Sequence, residues 1–155
     1  MPTLHTRLER AGLTLPPPPA ALASYVPAVS VSAGRLVFVS GQTPMRDGAP
    51  IVTGLVGRDV DLQTAQSCAR QCALQGLSAL QQEIGDIERL RRVVKLDGFV
   101  ACAADFTQHP QVINGASDLL EELLGDDGRH ARAAVGVSSL PLGVPVEIAF
   151  TFLVD

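Results

Sequence analysis

The stretch VEIAFTFLV, residues 146–154, carries the clearest structural signal in the chain and predicts a half-buried β-strand. Large apolar side chains occupy every second position from Val146 to Val154, with Glu147, Ala149, Thr151 and Leu153 between them. Because successive strand residues point to opposite faces, one face of this strand is expected to pack on a core. The other face, which includes Glu147, points away from that core.

Strand and helix signals alternate over the rest of the chain. Apolar residues at helical spacing predict helices, and short β-rich runs bounded by glycine predict strands. The predicted elements are a hairpin around Ala33-Gly34 (Val29 and Val31, then Arg35 to Ser40), a helix over 61–84, a strand over 91–102, a helix from Pro110 to a stop at Gly125, and strands over 131–137 and 146–154. The segment from Gly41 to Gly57, rich in Gly, Pro and Asp, is expected to be a loop.

The order β-β-α-β-α-β-β predicts an α+β domain with one mixed sheet and both helices packed on one face. Residues 1–24 are expected to form an N-terminal arm with a Pro-rich segment at 15–19, and residues 25–155 the domain. The second face of the sheet then has no cover within the chain. Self-association through the sheets is the economical solution.

Composition excludes several classes of protein. The chain of 155 residues is 46% hydrophobic and 18% charged, which fits one globular domain. A net charge of −4 and scarce aromatic residues argue against binding nucleic acid or an anionic membrane. Prolines interrupt the uncharged stretch 13–34, and Met1 to Arg10 has no apolar signal-peptide core. With three cysteines and no disulfide framework, we expect a cytoplasmic protein in a reducing compartment.

The strongest candidate site lies at the neutral stretch 133–146, which Arg132 and Glu147 bound on either side. Strand alternation puts Arg132, Ala134 and Gly136 on one face, so small residues leave a hollow beside the guanidinium. A partly buried guanidinium needs an anion, and its planar fork suits a carboxylate. That anion is either Glu147, in an internal salt bridge, or the carboxylate of a ligand. The third alternative is an Arg132 that lies on an open rim.

A second candidate site lies where the strand ending at Ser40 opens into the segment Ser40 to Pro44. Gly41 would let the backbone approach a ligand, and the hydroxyls of Ser40 and Thr43 can bind a polar group. Taken alone, the segment also fits a simple strand exit. Asn114 lies on the second helix away from its apolar stripe, a position typical of solvated helix surface.

Metal and cofactor sites find no support in the sequence. Cys68 and Cys72 are four residues apart on the first helix, but nothing nearby completes a tetrahedral set. Both are therefore expected to fill the apolar stripe of that helix. The histidines His5, His109 and His130 have no metal-ligand spacing, and no glycine-rich phosphate loop is present. We expect neither a metal nor an organic cofactor.

A short basic cluster, Arg89, Arg91 and Arg92, precedes the third predicted strand. Such a cluster is typical of a solvated edge or of a contact between protomers. Contact with RNA is the weaker interpretation, because the chain as a whole is acidic.

Several segments, in order along the chain, resemble motifs of the YjgF/RidA family of reactive-intermediate deaminases, also labelled endoribonuclease L-PSP. The resemblance runs from about Tyr25 to Val154 and is carried by Tyr25-Val26-Pro27, Phe38 to Pro44, Asn114 to Ser117, His130-Ala131-Arg132, Leu140-Pro141 and Val146-Glu147-Ile148. It implies a chorismate-mutase-like α+β fold and a homotrimer with three clefts between subunits. Typical members hydrolyse 2-imino acids, formed from enamines such as 2-aminoacrylate, to 2-keto acids and ammonia.

The resemblance also implies roles for individual residues. Arg132 resembles the arginine that binds the substrate carboxylate, and Glu147 resembles the glutamate that positions or activates water. The residues that resemble the substrate pocket are Tyr25, Ser40, Gly41 and Asn114. The chain departs from the family at His130, which replaces a proline, and at Ala134, which replaces a common cysteine. His130 is then either an added proton donor or a polar wall, and Thr43 is a further candidate for the pocket.

Two functions of other classes stay open beside imine hydrolysis. A non-catalytic module that binds small carboxylates, such as 2-keto acids, would share Arg132 and the cleft but turn over no imine. An RNA-cleaving or translation-inhibiting protein is the third alternative, against which the acidic charge and scarce aromatic residues count.

Overall fold

The computed structural model describes residue 10 and residues 33–155 of the chain. Tyr25, the predicted arm and the first strand of the predicted hairpin lie outside these residues. The described strands are β1 (Arg35–Gln42), β2 (Met45–Arg46), β3 (Ala49–Pro50), β4 (Leu90–Ala101), β5 (Ala131–Val137) and β6 (Val146–Val154). The helices are α1 (Leu62–Ile84) and α2 (His109–Leu124), with short 3₁₀ turns at Ile87–Arg89, Gly125–Gly128 and Pro141–Gly143.

Four of these strands form one mixed sheet in the order β1-β6-β4-β5. Strand β6 runs antiparallel to both β1 and β4, whereas β4 and β5 are parallel. The connection from β4 to β5 passes through α2, as parallel pairing requires a crossover. The predicted α+β architecture, a mixed sheet with two helices on one face, is confirmed.

Helix α1 begins and ends at residues that the sequence indicates. The side chain of Asp61 accepts a hydrogen bond from the Thr64 N–H at 2.7 Å and so caps the first turn. Gly85, with a φ of 82°, ends the helix as its N–H donates to the Gln81 carbonyl at 2.8 Å. Cys68 and Cys72 lie fully buried in its apolar stripe, which confirms their predicted packing role.

The sequence predicts a loop over 41–57, but part of this segment forms a β-hairpin. Met45 pairs with Pro50 and Arg46 with Ala49 in a two-stranded hairpin. Its two turn residues, Asp47 and Gly48, both have positive φ values of 52° and 79°. An Asp-Gly pair with this geometry is the preferred two-residue hairpin turn, so the sequence did contain a signal for this hairpin.

Both helices pack on the same face of the sheet, α1 mainly across β1 and β6 and α2 across β4 and β5. On β6 every second residue from Val146 to Val154 is buried against them, which confirms the predicted alternation. The other face has no helix in the described part of the chain. There Leu36, Phe38 and Val135 are 41%, 76% and 45% exposed. Neither α1 nor α2 is long and apolar enough to span a membrane.

Close contact between the two helices depends on Gly115. A Cβ at this position would overlap the backbone carbonyl oxygen of Gln66 on α1. The Gln66 side chain donates a hydrogen bond to the Gln111 carbonyl of α2 at 2.9 Å, which fixes the same approach. A side chain at Gly115 would therefore push the helices apart.

We predict that Gly115→Ala destabilises the protein by about 1–3 kcal/mol, as expected for overpacking. Alanine raises helix propensity by about 1 kcal/mol, so an unhindered site would show the opposite sign. Urea unfolding of this variant beside Ser78→Ala, an exposed change on α1, measures the difference. A Gly115→Ala variant that is more stable than the wild type would contradict the close helix contact.

Candidate functional site

Arg132 lies on the edge strand β5 and points towards α2. It pairs with the buried Leu96 of β4, so it shares the helix-covered face with Ala134 and Gly136, as predicted. Its Nη1 donates to the Ser117 hydroxyl at 2.9 Å, and its Nη2 donates to the Pro110 carbonyl at 3.2 Å. These two contacts on one helix fix the plane and direction of the guanidinium.

A chain of buried hydrogen bonds runs from the Gly128 carbonyl through His130 and Ser117 to this arginine. Nδ1 of His130 lies 2.6 Å from the Gly128 carbonyl, which can only accept, so Nδ1 carries the proton. Nε2 then accepts from the Ser117 hydroxyl at 2.9 Å, and the Ser117 oxygen is left to accept from Arg132. Burial lowers the pKa of His130, the Gly128 hydrogen bond opposes this shift, and the nearby Arg132 charge adds to it.

His130 therefore has the position of a polar wall and not of a proton donor to a ligand. It is 0% exposed, and both of its ring nitrogens are occupied by Gly128 and Ser117. No chemical motif in the sequence singles out Ser117, which is likewise 0% exposed and joins the histidine to the arginine. The sequence signal that points to Ser117 is its place at the end of the segment Asn114 to Ser117, which resembles a family motif.

Asn114 lies on the same face of α2 as the two contacts of Arg132. Pro110, Asn114 and Ser117 follow one another at spacings of four and three, which aligns them along a helix. The residue is half-buried, and its side-chain oxygen is buried with no hydrogen-bond partner among the described residues. It is thus not the solvated position that helical periodicity indicated.

Glu147 belongs to a second cluster on the opposite face of the sheet. It pairs with Phe99 on β4, between the buried Val146 and Ile148. Its carboxylate lies against Gly41, where any Cβ would overlap it. A register shift between Val39 and Gln42 in β1 brings this glycine next to β6. Ser40 is exposed and Thr43 half-buried at the same strand exit.

The sites predicted from sequence thus form two separate half-sites in one chain. The first, which we call the arginine half-site, consists of Arg132, Ser117, His130 and Asn114. The second, the glutamate half-site, consists of Glu147, Gly41 and Ser40, with Thr43 nearby. Because Arg132 and Glu147 lie on opposite faces, the internal salt bridge left open by the sequence is wrong.

A cavity of about 720 Å³ lies beyond the arginine half-site, at the ends of β4 and β5. Cys102 and His109 line it with their side-chain atoms 3.4 Å apart. The sequence alone predicts a site at neither residue. No regular spacing relates them, since a loop separates β4 from α2.

The described residues show neither a set of metal ligands nor a positively charged surface for nucleic acid. In residues 33–155 no group of three or more His, Cys, Asp or Glu could hold a metal ion. Two members of the basic cluster are neutralised locally, because Arg91 pairs with Asp155 and Arg92 with Asp127. These ion pairs support the interpretation of the cluster as a solvated edge.

Comparisons with known proteins identify one family. The family model described as "YjgF/chorismate_mutase-like, putative endoribonuclease" matches residues 5–152. Protein TCP17 of Trypanosoma cruzi is 44% identical over 142 residues, which cover 91% of this chain and 88% of that protein. Among solved structures, protein Atu1372 of Agrobacterium tumefaciens, of unknown function, has a TM-score of 0.76 and 47% identity, covering 97% of this chain and 90% of its own.

A second solved structure, named a putative endoribonuclease from Shewanella oneidensis, has a TM-score of 0.74 and 30% identity. It covers 97% of this chain and 98% of its own length. The family model and these relatives span nearly the whole chain, and their shared architecture is the mixed sheet with two helices described above. The chain therefore belongs to the YjgF family and has its chorismate-mutase-like fold.

Proposed function

We propose that this protein is a hydrolase that deaminates reactive 2-imino acids to 2-keto acids and ammonia. The observation that carries the proposal is the guanidinium of Arg132, fixed by Ser117 and Pro110. The same face of α2 carries Asn114, whose amide oxygen has no hydrogen-bond partner in the part of the chain that the structure describes. The substrate class is the imines that arise from enamines such as 2-aminoacrylate. In this mechanism the reaction uses no cofactor, since water is the only co-reactant.

The arginine half-site supplies what a small imino acid needs for orientation. A guanidinium held in one plane binds a carboxylate through two parallel hydrogen bonds. The Asn114 oxygen can accept a hydrogen bond from the substrate nitrogen, which would satisfy a buried acceptor that has no partner among the described residues. Ala134, two residues along the strand, leaves room beside the guanidinium for a short side chain.

The glutamate half-site supplies a base for water. As water attacks C2 of the imine, the Glu147 carboxylate takes its proton and the pair of electrons in the C=N bond moves to nitrogen. Glu147 then returns this proton to the nitrogen, which gives a tetrahedral intermediate with one hydroxyl and one amino group on C2. Glu147 next takes the hydroxyl proton and passes it to the same nitrogen; as the C=O bond forms, the C–N bond breaks, and the keto acid and ammonia leave. General acid–base catalysis of this kind contributes typically ~10²–10⁴-fold in rate. Gly41 leaves the carboxylate room at the sheet surface.

The two half-sites act together in this proposal only if different copies of the chain contribute them. Arg132 and Glu147 lie on opposite faces of one sheet, so neither can reach a ligand held by the other within one chain. The exposed apolar residues Leu36, Phe38 and Val135 on the uncovered face favour packing against further copies. A homotrimer with three clefts between subunits is the assembly we propose.

An endoribonuclease activity, which the names of several relatives suggest, is the alternative. RNA binding would require a surface with unneutralised positive charge. The acidic chain and the paired Arg91 and Arg92 offer little support for such a surface. A non-catalytic carboxylate-binding protein would retain Arg132 but not depend on Glu147.

We predict that Arg132→Ala abolishes binding of a small 2-keto acid and the hydrolysis of 2-aminoacrylate-derived imine. Loss of a charge-assisted bidentate contact costs ~2–5 kcal/mol, and Arg132→Lys should recover little, because an ammonium lacks the planar fork. The measurements are calorimetric binding and keto-acid release with a serine dehydratase supplying the substrate.

Arg46→Ala, an exposed arginine on β2, is the matched control for both measurements and should behave as the wild type. Unchanged keto-acid binding by Arg132→Ala would refute the role of the arginine. Binding without any acceleration of keto-acid release by the wild type would instead favour the non-catalytic module.

We predict that Ser117→Ala raises the dissociation constant for the keto acid by about 10-fold, since a hydrogen bond to a charged group contributes ~1.5–3 kcal/mol. The variant also leaves Nε2 of His130 without a donor, so its melting temperature should fall. Ser67→Ala, whose hydroxyl donates only to its own helix, is the control. A lower melting temperature with unchanged affinity would show that Ser117 supports the fold and does not position Arg132.

A further inference from the structure

Cys102 and His109 form a side-chain pair that the proposed imine chemistry does not use. They lie at the end of β4 and at the first residue of α2, beside Gly136 of β5. Gly136 is four residues along the strand from Arg132, a separation of roughly 13 Å. The pair is therefore distinct from the arginine half-site, although both lie on the helix-covered face.

The thiol and the imidazole of this pair lie within hydrogen-bonding distance of each other. Sγ of Cys102 lies 3.4 Å from Nε2 of His109. The ring of Phe106 meets the imidazole edge to face, with centroids 5.5 Å apart and planes at 85°, which limits its rotation. Gly136 leaves the space that the pair occupies, since a Cβ there would lie 2.5 Å from Nε2 and 3.0 Å from Sγ.

The pair is open to small molecules. It lines the cavity of about 720 Å³, together with Leu55, Ala103, Ala104, Phe106 and Val137. The permanently charged lining residue, Arg58, is already paired with Asp59 at 2.8 Å. A mostly apolar lining and a locally neutralised charge favour an uncharged occupant.

The other two cysteines of the chain provide an internal comparison. Cys68 and Cys72 are 0% exposed, and burial raises the pKa of Cys68 to about 11 and that of Cys72 further. Neither has a histidine partner in the described part of the chain, whereas Cys102 is partly exposed in the cavity. Desolvation also raises the pKa of the Cys102 thiol, so this sulfur needs a base to become a nucleophile.

We propose that Cys102 and His109 form a nucleophilic site that takes small uncharged electrophiles of the activated-alkene class. Nε2 of His109 takes the thiol proton as sulfur bonds to the β-carbon of the alkene. The C=C electron pair moves to the α-carbon, which then receives the proton back from the imidazolium. The S–H bond and one C=C bond are lost, S–C and C–H bonds are formed, and no further reactant is required.

N-ethylmaleimide is the probe, and mass mapping of the intact full-length protein with time is the measurement. We expect Cys102 to be alkylated about 10-fold or more faster than Cys68 and Cys72. His109→Gln, whose amide can contact sulfur but cannot take its proton, should slow Cys102 by about 10-fold or more. Ser78→Ala, an exposed change on α1 away from this cavity, should leave the rate unchanged.

Gly136→Ala gives a second test that leaves both reacting residues in place. Its Cβ would separate sulfur from imidazole, so the rate at Cys102 should fall as in His109→Gln. Melting temperatures of both variants verify that they are folded. Unaltered alkylation of Cys102 in either folded variant would overturn the proposal, because the exposure of Cys102 alone would then explain its reactivity. Equal rates at all three wild-type cysteines would also overturn it, because Cys102 would then gain nothing from His109.

Discussion

The contact between the Arg132 guanidinium and helix α2 is the interaction on which the candidate site depends. The buried sequence of hydrogen bonds from Gly128 through His130 and Ser117 gives the arginine one orientation. The Ser117 hydroxyl can donate to His130 only while Nε2 of the histidine carries no proton. Burial lowers the pKa of His130 in the folded protein. Just below pH 6.5 this histidine is therefore protonated in the unfolded chain but still neutral in the folded chain. This network therefore loses stability as the pH falls below 6.5, the ordinary value for histidine.

Strand alternation imposes the second constraint. It directs Arg132 towards the helices and Glu147 towards the uncovered face, so the two charged ends of the neutral stretch 133–146 are separated within one chain. A site that uses both residues must therefore be built between copies. The same uncovered face exposes Phe38 and Val135, so the proposed chemistry would depend on the proposed assembly.

Much of the fold follows from local sequence signals, whereas the side-chain clusters depend on register. Asp61 and Gly85 bound α1 as capping residues do, and the alternation over 146–154 gives β6 directly. Alternation also predicts that Arg132, Ala134 and Gly136 share one face of β5. It cannot relate Arg132 to Glu147, because their relative faces depend on how β5 and β6 each pair with β4.

The remaining differences between prediction and structure have similar physical causes. The hairpin at Met45 to Pro50 has strands of only two residues, too short to show alternation. Asn114 becomes half-buried because α2 lies against the edge strand that carries Arg132. Cys102 and His109 meet across a loop, where neither helical nor strand periodicity applies.

The most direct measurement of the central claim is complementation between two inactive variants. Arg132→Ala and Glu147→Gln, each without imine-hydrolysing activity alone, are co-expressed in equal amounts so that mixed oligomers form. If each cleft takes its arginine from one chain and its glutamate from another, about one quarter of the clefts contain both residues and about one quarter of wild-type activity returns. Mixed oligomers that remain as inactive as the single variants would contradict a site shared between chains.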